Sequence, residues 1–169
     1  GVGHTPLMRA IETQQTAIAI RLLKAKANPN AKTPEGKSCL LMAVESRAPK
    51  IVSALIISGA DLKAASIEGN SPALAAAMDG MKESLEIIRI LGKAGANLNE
   101  SNIIYTPLVY AIQQSNAELV QALLDAGADP NAPTAGGQLP LEQAINEPKI
   151  LLLLLKAKAD PNKSVGTGD

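Results

Sequence analysis

The sequence predicts an all-α repeat solenoid: stacked antiparallel helix pairs with protruding hairpin-like loops. Three observations carry this reading. A short motif returns five times, as Thr5-Pro6-Leu7, Ser38-Cys39-Leu40, Ser71-Pro72-Ala73, Thr106-Pro107-Leu108 and Leu139-Pro140-Leu141, at spacings of 33, 33, 35 and 33. A second motif follows each copy: Lys26-Ala27-Asn28-Pro29-Asn30, Gly59-Ala60-Asp61-Leu62-Lys63, Gly95-Ala96-Asn97-Leu98-Asn99, Gly127-Ala128-Asp129-Pro130-Asn131 and Lys158-Ala159-Asp160-Pro161-Asn162. Finally, 46% of the 169 residues are apolar, yet only Tyr105 and Tyr110 are aromatic. A thin core repeated many times has room for methyl and branched aliphatic groups and little else. A two-helix unit of this size cannot bury both its faces alone, so the units must stack.

Each element of the unit has a sequence signal, taken in order. Thr or Ser followed by Pro starts the first helix: the hydroxyl caps a free N–H, and Pro at the first helical position loses no bond. Apolar residues then fall on one stripe, as at Leu40, Leu41, Ala43 and Val44. Ala10, Ala43, Ala76, Ala111 and Ala144 hold the same position in every copy, where a small side chain lets neighbouring helices approach. A short break follows, such as Ala48-Pro49 or Ser115-Asn116, and then a second helix, as over 117–126. Lys24, Lys26, Lys93, Lys156 and Lys158 lie near the ends of the second helices, where positive charge suits the helix dipole. Gly59, Gly95 and Gly127 suit a left-handed C-terminal position. The Asn- and Asp-rich stretch after them reads as a turn. Gly3, Gly36, Gly69 and Gly137, each two residues before the next helix start, mark the tips of the connecting loops. The units run approximately over 1–30, 31–63, 64–99, 100–131 and 132–163, forming one array, with 164–169 a tail or the start of a further unit.

These residues resemble the ankyrin repeat: a turn glycine, Thr-Pro-Leu, an Ala-centred first helix, a Leu-Leu second helix, then Gly-Ala-Asp and Asn. The resemblance covers essentially the whole chain and is strongest over Tyr105 to Asn131. It implies L-shaped helix pairs with a hairpin-like loop at right angles, stacked into a curved solenoid. The family's usual His after Thr-Pro-Leu is replaced by Met8, Leu41, Leu74, Val109 and Glu142, so loops less rigid than the family norm are expected. The third unit carries extra residues near Met78 to Ser84, expected in the break between its helices. The fourth has Ile104 in place of the loop glycine. The fifth is short between its helices and carries Pro148 there.

Gly3 and Gly168 fall at equivalent points of the period, whereas terminal repeats usually carry a polar outer face. The last second helix contains Ile150 to Leu155, an unbroken apolar run longer than one helical turn, so not all of it can face the preceding unit. Further repeats in a longer parent, or self-association through this helix, are expected; a cap covered by the tail is the alternative.

No catalytic set is visible. His4, the one histidine, sits beside the first helix cap and reads as a loop residue. Cys39 fills the proline slot of the second unit; it reads as a small residue at a helix start, with a reactive thiol as the alternative because a helix N-terminus can lower a thiol pKa. One Cys and one His make no metal constellation, and the glycines follow the period rather than a phosphate loop. Asp125 and Asp129 fall in the periodic turn and read as turn formers. With 16 basic and 16 acidic side chains and two aromatics, nucleic acid and anionic membranes are not expected partners. No cofactor is expected.

What remains is a surface, and the resemblance says which one. Arrays similar to this one bind partners through their loop tips and the inner, concave face of the first helices. Carried over by position, the tips are Glu35, Lys37, Glu68, Asn70, Tyr105 and Gln138. The ends of the first helices are Glu12, Thr13, Glu45, Ser46, Met78, Asp79, Gln113 and Gln114. Tyr105 is expected to anchor the interface, because a tyrosine at a tip has little core to fill. Glu12, Glu35, Glu45, Glu68 and Asp79 against Lys37 make the ridge mildly acidic, which suits a partner with a basic or polar patch. The expected function is a non-enzymatic protein-binding module. A regulatory or substrate-docking segment of a larger enzyme or bacterial effector is the alternative, and a structural spacer is a third. An intracellular, cytoplasmic setting is expected, a secreted bacterial effector being the other possibility.

Overall fold

Four hydroxyl caps begin the architecture. Thr5, Ser38, Ser71 and Thr106 each accept the backbone N–H three residues on, from Met8 at 3.2 Å, Leu41 at 3.1 Å, Leu74 at 3.2 Å and Val109 at 3.1 Å. Replacing such a cap by alanine costs about 1 kcal/mol. Leu139 has no acceptor to offer, and there the Glu142 carboxylate takes the Leu139 N–H at 3.2 Å instead. The computed structural model describes residues 4–164; Gly3 and Gly168 lie outside the described residues.

The described residues form ten helices in five pairs: α1 (Pro6–Glu12) with α2 (Thr16–Lys24), α3 (Cys39–Glu45) with α4 (Pro49–Ile57), α5 (Pro72–Asp79) with α6 (Lys82–Lys93), α7 (Pro107–Gln113) with α8 (Ala117–Asp125), and α9 (Pro140–Gln143) with α10 (Pro148–Lys156). First helices stack on first helices and second on second along the whole series. This is an all-α repeat solenoid, and among the described residues there is no strand beyond an isolated antiparallel bridge between Lys32 and Ser38. The five periodic alanines are all buried, at 4% exposure or less. Met8, Leu41, Leu74 and Val109, which replace the family's histidine, are fully buried and contribute packing in its place.

The loops are braced by other groups. Thr33, Ser66 and Thr134 each accept, through the side-chain hydroxyl, the N–H of Lys37, Asn70 and Gln138. Asn102 does this work in the loop that lacks glycine: its Oδ1 accepts both Ile104 N–H at 2.8 Å and Tyr105 N–H at 2.7 Å. The Asn/Asp turns also tie units together. Asn30 Oδ1 accepts Asp61 N–H at 2.7 Å, Asn99 Oδ1 accepts Asp129 N–H at 2.8 Å, and Asn131 Oδ1 accepts Asp160 N–H at 2.8 Å. Lys63 occupies the corresponding place in the second unit and cannot accept.

Two expectations are corrected. The extra residues of the third unit do not widen the break, which contains only Gly80 and Met81; they lengthen α6 to 12 residues, against nine in α2, α4, α8 and α10. Gly80 makes the tight turn possible by taking a left-handed φ of 63°. In the fifth unit the shortening falls on α9, which has four residues, and Pro148 is the first residue of α10 rather than part of the break.

The apolar run at the last helix divides as its length demands. Ile150 and Leu154 are buried, while Leu152 is 57% and Leu155 40% exposed, beside Ile145 at 68%.

Candidate functional site

The loops and the C-terminal ends of the first helices lie side by side, because each loop leads directly into the next first helix. Over the first three units this produces two adjoining clefts. One, about 320 Å³, is lined by His4, Glu12, Thr33, Glu35, Lys37, Met42, Glu45 and Ser46. The next, about 180 Å³, shares Glu35, Lys37 and Glu45 and adds Ser66, Ile67 and Glu68. Six of the fourteen predicted residues, Glu12, Glu35, Lys37, Glu45, Ser46 and Glu68, are thus brought together. Thr13, Met78, Asp79, Gln113, Gln114, Tyr105, Asn70 and Gln138 line neither cleft.

The electrostatics are more paired than the sequence suggests. Lys37 Nζ meets Glu45 Oε2 at 2.6 Å, and Glu12 receives His4 Nε2 at 2.8 Å and Arg9 Nη1 at 3.4 Å. Arg47 grips Asp79 across one unit boundary, with Nη2 at 2.8 Å and Nε at 2.9 Å from Oδ1. Burial pushes the Asp79 carboxyl upward, but the hydrogen bonds from Ser84 and Arg47, with the charge of Arg47, outweigh it and hold the group below its ordinary value. Glu35 is fully exposed, and its carboxyl is lowered chiefly by a hydrogen bond from Thr33 and one from its own backbone. Among the described residues, Glu68 meets the neutral Asn70 Nδ2, at 3.3 Å, and no cation within ion-pair distance. The acidity of the ridge is therefore concentrated at Glu35 and Glu68.

Elsewhere Thr13 Oγ1 donates to the Arg9 carbonyl at 2.8 Å, and Gln113 Nε2 reaches Gln143 Oε1 at 3.3 Å. Met78 is 43% exposed; Gln114 and Gln138 are exposed. Two predicted tips are not tips. Asn70 is buried at 8% exposure, and its Oδ1 accepts Asn102 Nδ2 at 2.8 Å, so it links two loops. Tyr105 is half-buried edge-on against Tyr110, with ring centroids 5.6 Å apart and planes at 75°. The residues that project from these loops are Ile67 at 84%, Ile103 at 87% and Ile104 at 55% exposure. Sequence reasoning passed over them, although an isoleucine in a polar turn is itself a signal.

Cys39 is buried, its sulfur lies 3.4 Å from the Ala31 carbonyl oxygen, and burial pushes its thiol up to about 11. That is the opposite of the lowered pKa a reactive thiol needs. Among the described residues, no group of three or more His, Cys, Asp or Glu gathers where it could hold a metal ion. Nor is any described helix long and apolar enough to cross a membrane.

Stacked helix pairs with a continuous face of loops and helix ends define a repeat protein that works by presenting a surface. The family model for ankyrin repeats matches in three stretches, residues 1–66, 40–134 and 73–165, and the chain belongs to the ankyrin repeat family, whose members are protein-interaction modules and generally not catalytic. Among similar proteins are the ankyrin repeat protein nuc-2 of Neurospora crassa, 33% identical over 75% of this chain and 12% of its own length, and the nuclear factor NF-kappa-B p105 subunit of Gallus gallus, 32% identical over 94% of this chain and 17% of its own. The NF-kappa-B inhibitor delta of Mus musculus is 34% identical over 72% of this chain and 44% of its own. The chain thus spans less than half the length of each.

Proposed function

We propose that this array binds another protein, without catalysis, through the concave ridge of its first three units. The observation that carries this is the pair of adjoining clefts in which Glu35 and Glu68, on successive loops, make no ion pair among the described residues and share the second cleft with the exposed Ile67. A basic or polar patch of the partner would place a cation between the two carboxylates and cover the isoleucine. An apolar contact at the centre of a charged rim is the usual anatomy of such an interface. Glu12, Thr13, Lys37, Glu45, Ser46, Met78, Asp79, Gln113, Gln114 and Gln138 extend the ridge, and Tyr105 supports the loop that presents Ile103 and Ile104.

Affinity capture with the intact array and with a Glu35→Lys/Glu68→Lys variant tests this. The reversed variant should lose the partner, and binding to the intact array should weaken with salt. Retention of the partner by the variant, with indifference to salt, would refute the reading. Tyr105→Ala separates support from contact: it should weaken capture less than Ile103→Ser/Ile104→Ser.

A docking role for the same ridge inside a larger protein is the second reading. It is favoured by relatives in which the matched region is 12% and 17% of the whole. The reading frame on either side of these residues would separate the two.

A further inference from the structure

We propose a second docking site on the opposite face, a groove between α2 and α4 that takes an acidic peptide segment with a bulky apolar side chain between its carboxylates. The groove has a volume of about 690 Å³. Its floor is aliphatic, made by the buried Leu23 and half-buried Ile20 of α2 and the half-buried Ala54 of α4, while Ile57 of α4, 86% exposed, stands at its rim open to a partner. Lys24, Lys26 and Lys50 stand around it, and no carboxylate lines it.

The helices that form the groove do not offset this charge: α2 and α4, like α10, contain no acidic residue, while α6 carries Glu83 and Glu86 and α8 carries Glu118 and Asp125. Between Glu12 and Glu35 the chain has no Asp or Glu but has Arg21, Lys24, Lys26 and Lys32. Asp61, in the turn after α4, is engaged by the Lys63 N–H at 2.9 Å and does not line the groove. The ion pairs among the described residues involve His4, Arg9, Lys37 and Arg47, so none engages the three groove lysines.

Placement sets what fits. Lys50 is near the start of α4, and Lys24 and Lys26 are at and just beyond the end of α2. In the stacked register these charges lie about 10 Å apart along the helix axes, at about 1.5 Å per residue. An extended peptide covers that distance in about three residues. Carboxylates at that separation would reach both ends of the groove while the side chain between them met the floor. Charge and shape together exclude a basic partner such as the one proposed for the ridge. A flat anionic bilayer could meet the lysines but not a floor recessed between two helices.

The probe is a fluorescein-labelled peptide with a central Leu-Leu flanked on each side by two glutamates, titrated with the full chain by fluorescence anisotropy. Binding should weaken by at least roughly tenfold, as expected for loss of several close charge pairs, in a Lys24→Glu/Lys26→Glu/Lys50→Glu variant. Circular dichroism should show that variant folded, since its three sites are exposed. Changing the two leucines of the peptide to serine should weaken binding comparably. The Glu35→Lys/Glu68→Lys variant, altered on the other face, should bind the peptide like the parent. Unchanged binding by the lysine variant, equal binding of the serine peptide, or no peptide binding beside capture of phosphatidylserine vesicles would each overturn the proposal.

Discussion

Replacing Gly92 by alanine should destabilise the array although alanine is the better helix former. Gly92 lies in the last turn of α6, where that helix stacks on α8. A Cβ built there would sit 2.4 Å from the carbonyl oxygen of Ala126 and 2.8 Å from its Cβ. A carbon and an oxygen ordinarily approach to about 3.3–3.6 Å, so α6 and α8 would have to part by about 1 Å. The closest atom is backbone, so no rotamer change relieves it. A radial gap of that size forfeits about a quarter to a half of each dispersion contact along the interface. Overpacking of this kind costs about 1–3 kcal/mol, against a helix-propensity gain of about 1 kcal/mol. The clash is with backbone, so the cost falls towards the upper end of the overpacking range, and the expected net effect is a loss of up to about 2 kcal/mol, read as a lower urea midpoint by circular dichroism. Because units couple mainly to their neighbours, hydrogen exchange should quicken in α6 and α8 more than in α1 and α2. A second change, Ala126→Gly, should rescue only part of the loss, since it removes the Cβ contact but not the carbonyl. A midpoint equal to or above that of the parent would show that the two helices have slack at this point and that the reasoning is wrong.

Lys158 has a left-handed φ of 68° at the position that Gly59, Gly95 and Gly127 occupy in other units; Lys158→Gly relieves about 1 kcal/mol of strain and returns roughly half in unfolded-chain entropy, so thermal melting should show a small stabilisation. In Arg47→Ala the loss of stability should depend on pH. The Asp79 carboxyl is held low when folded, so its contribution is present above the ordinary carboxylate value and disappears as pH falls through the folded one. Denaturation curves of parent and variant should therefore converge in acid, and a constant offset at every pH would count against the pairing. Cys39, with its thiol raised from 9.0 to about 11, should react with an aromatic disulfide at about pH 8 only as fast as the array opens. The same shift favours folding below about 9 and is lost as pH rises towards 11, so melting should fall over that range; immediate labelling of the native protein would refute the burial.

The helix pairs were legible because their signals are local. A hydroxyl before Pro6, Pro72 or Pro107 needs nothing from the rest of the chain to specify a helix start. The length change around Met78 to Ser84 was legible as a number but not as a place. Whether extra residues extend a loop or a helix depends on whether they can be buried, and Ser84 and Leu85 are buried in α6. The bonds that Asn30, Asn99 and Asn131 make to the next unit were hidden in a different way. Each residue has a sufficient local explanation as a turn former, and the partner N–H lies about one period away. Tyr105 was misplaced by carrying a glycine-loop position onto a loop that turns differently, whereas Asn70 follows Gly69 in an ordinary glycine loop and is drawn in by the Asn102 side chain of the next one. Once Asn102 builds the fourth loop, Ile103 and Ile104 take the tip and the tyrosine folds back on Tyr110.

The zero net charge of the chain conceals a separation that folding produces. On the ridge, Lys37 and Arg47 neutralise Glu45 and Asp79, which leaves Glu35 and Glu68 to define the local field. On the opposite face the first two of the three ridge units place Lys24, Lys26 and Lys50 around an aliphatic floor. Lysines at the ends of second helices complement the helix dipole, but that account covers Lys24 and not Lys50, which lies in the first turn of α4, where a cation is the less favourable choice. Lys82 and Lys149 hold similar places in α6 and α10, so what sets Lys50 apart is the aliphatic groove it borders. Both faces would lose affinity as salt rises, so ionic strength cannot tell them apart. Charge reversal can, because Glu35→Lys/Glu68→Lys and Lys50→Glu alter the two fields separately. If the first abolishes binding of a basic partner while the second weakens binding of an acidic one, overlapping units bridge two molecules that would otherwise compete for a single face.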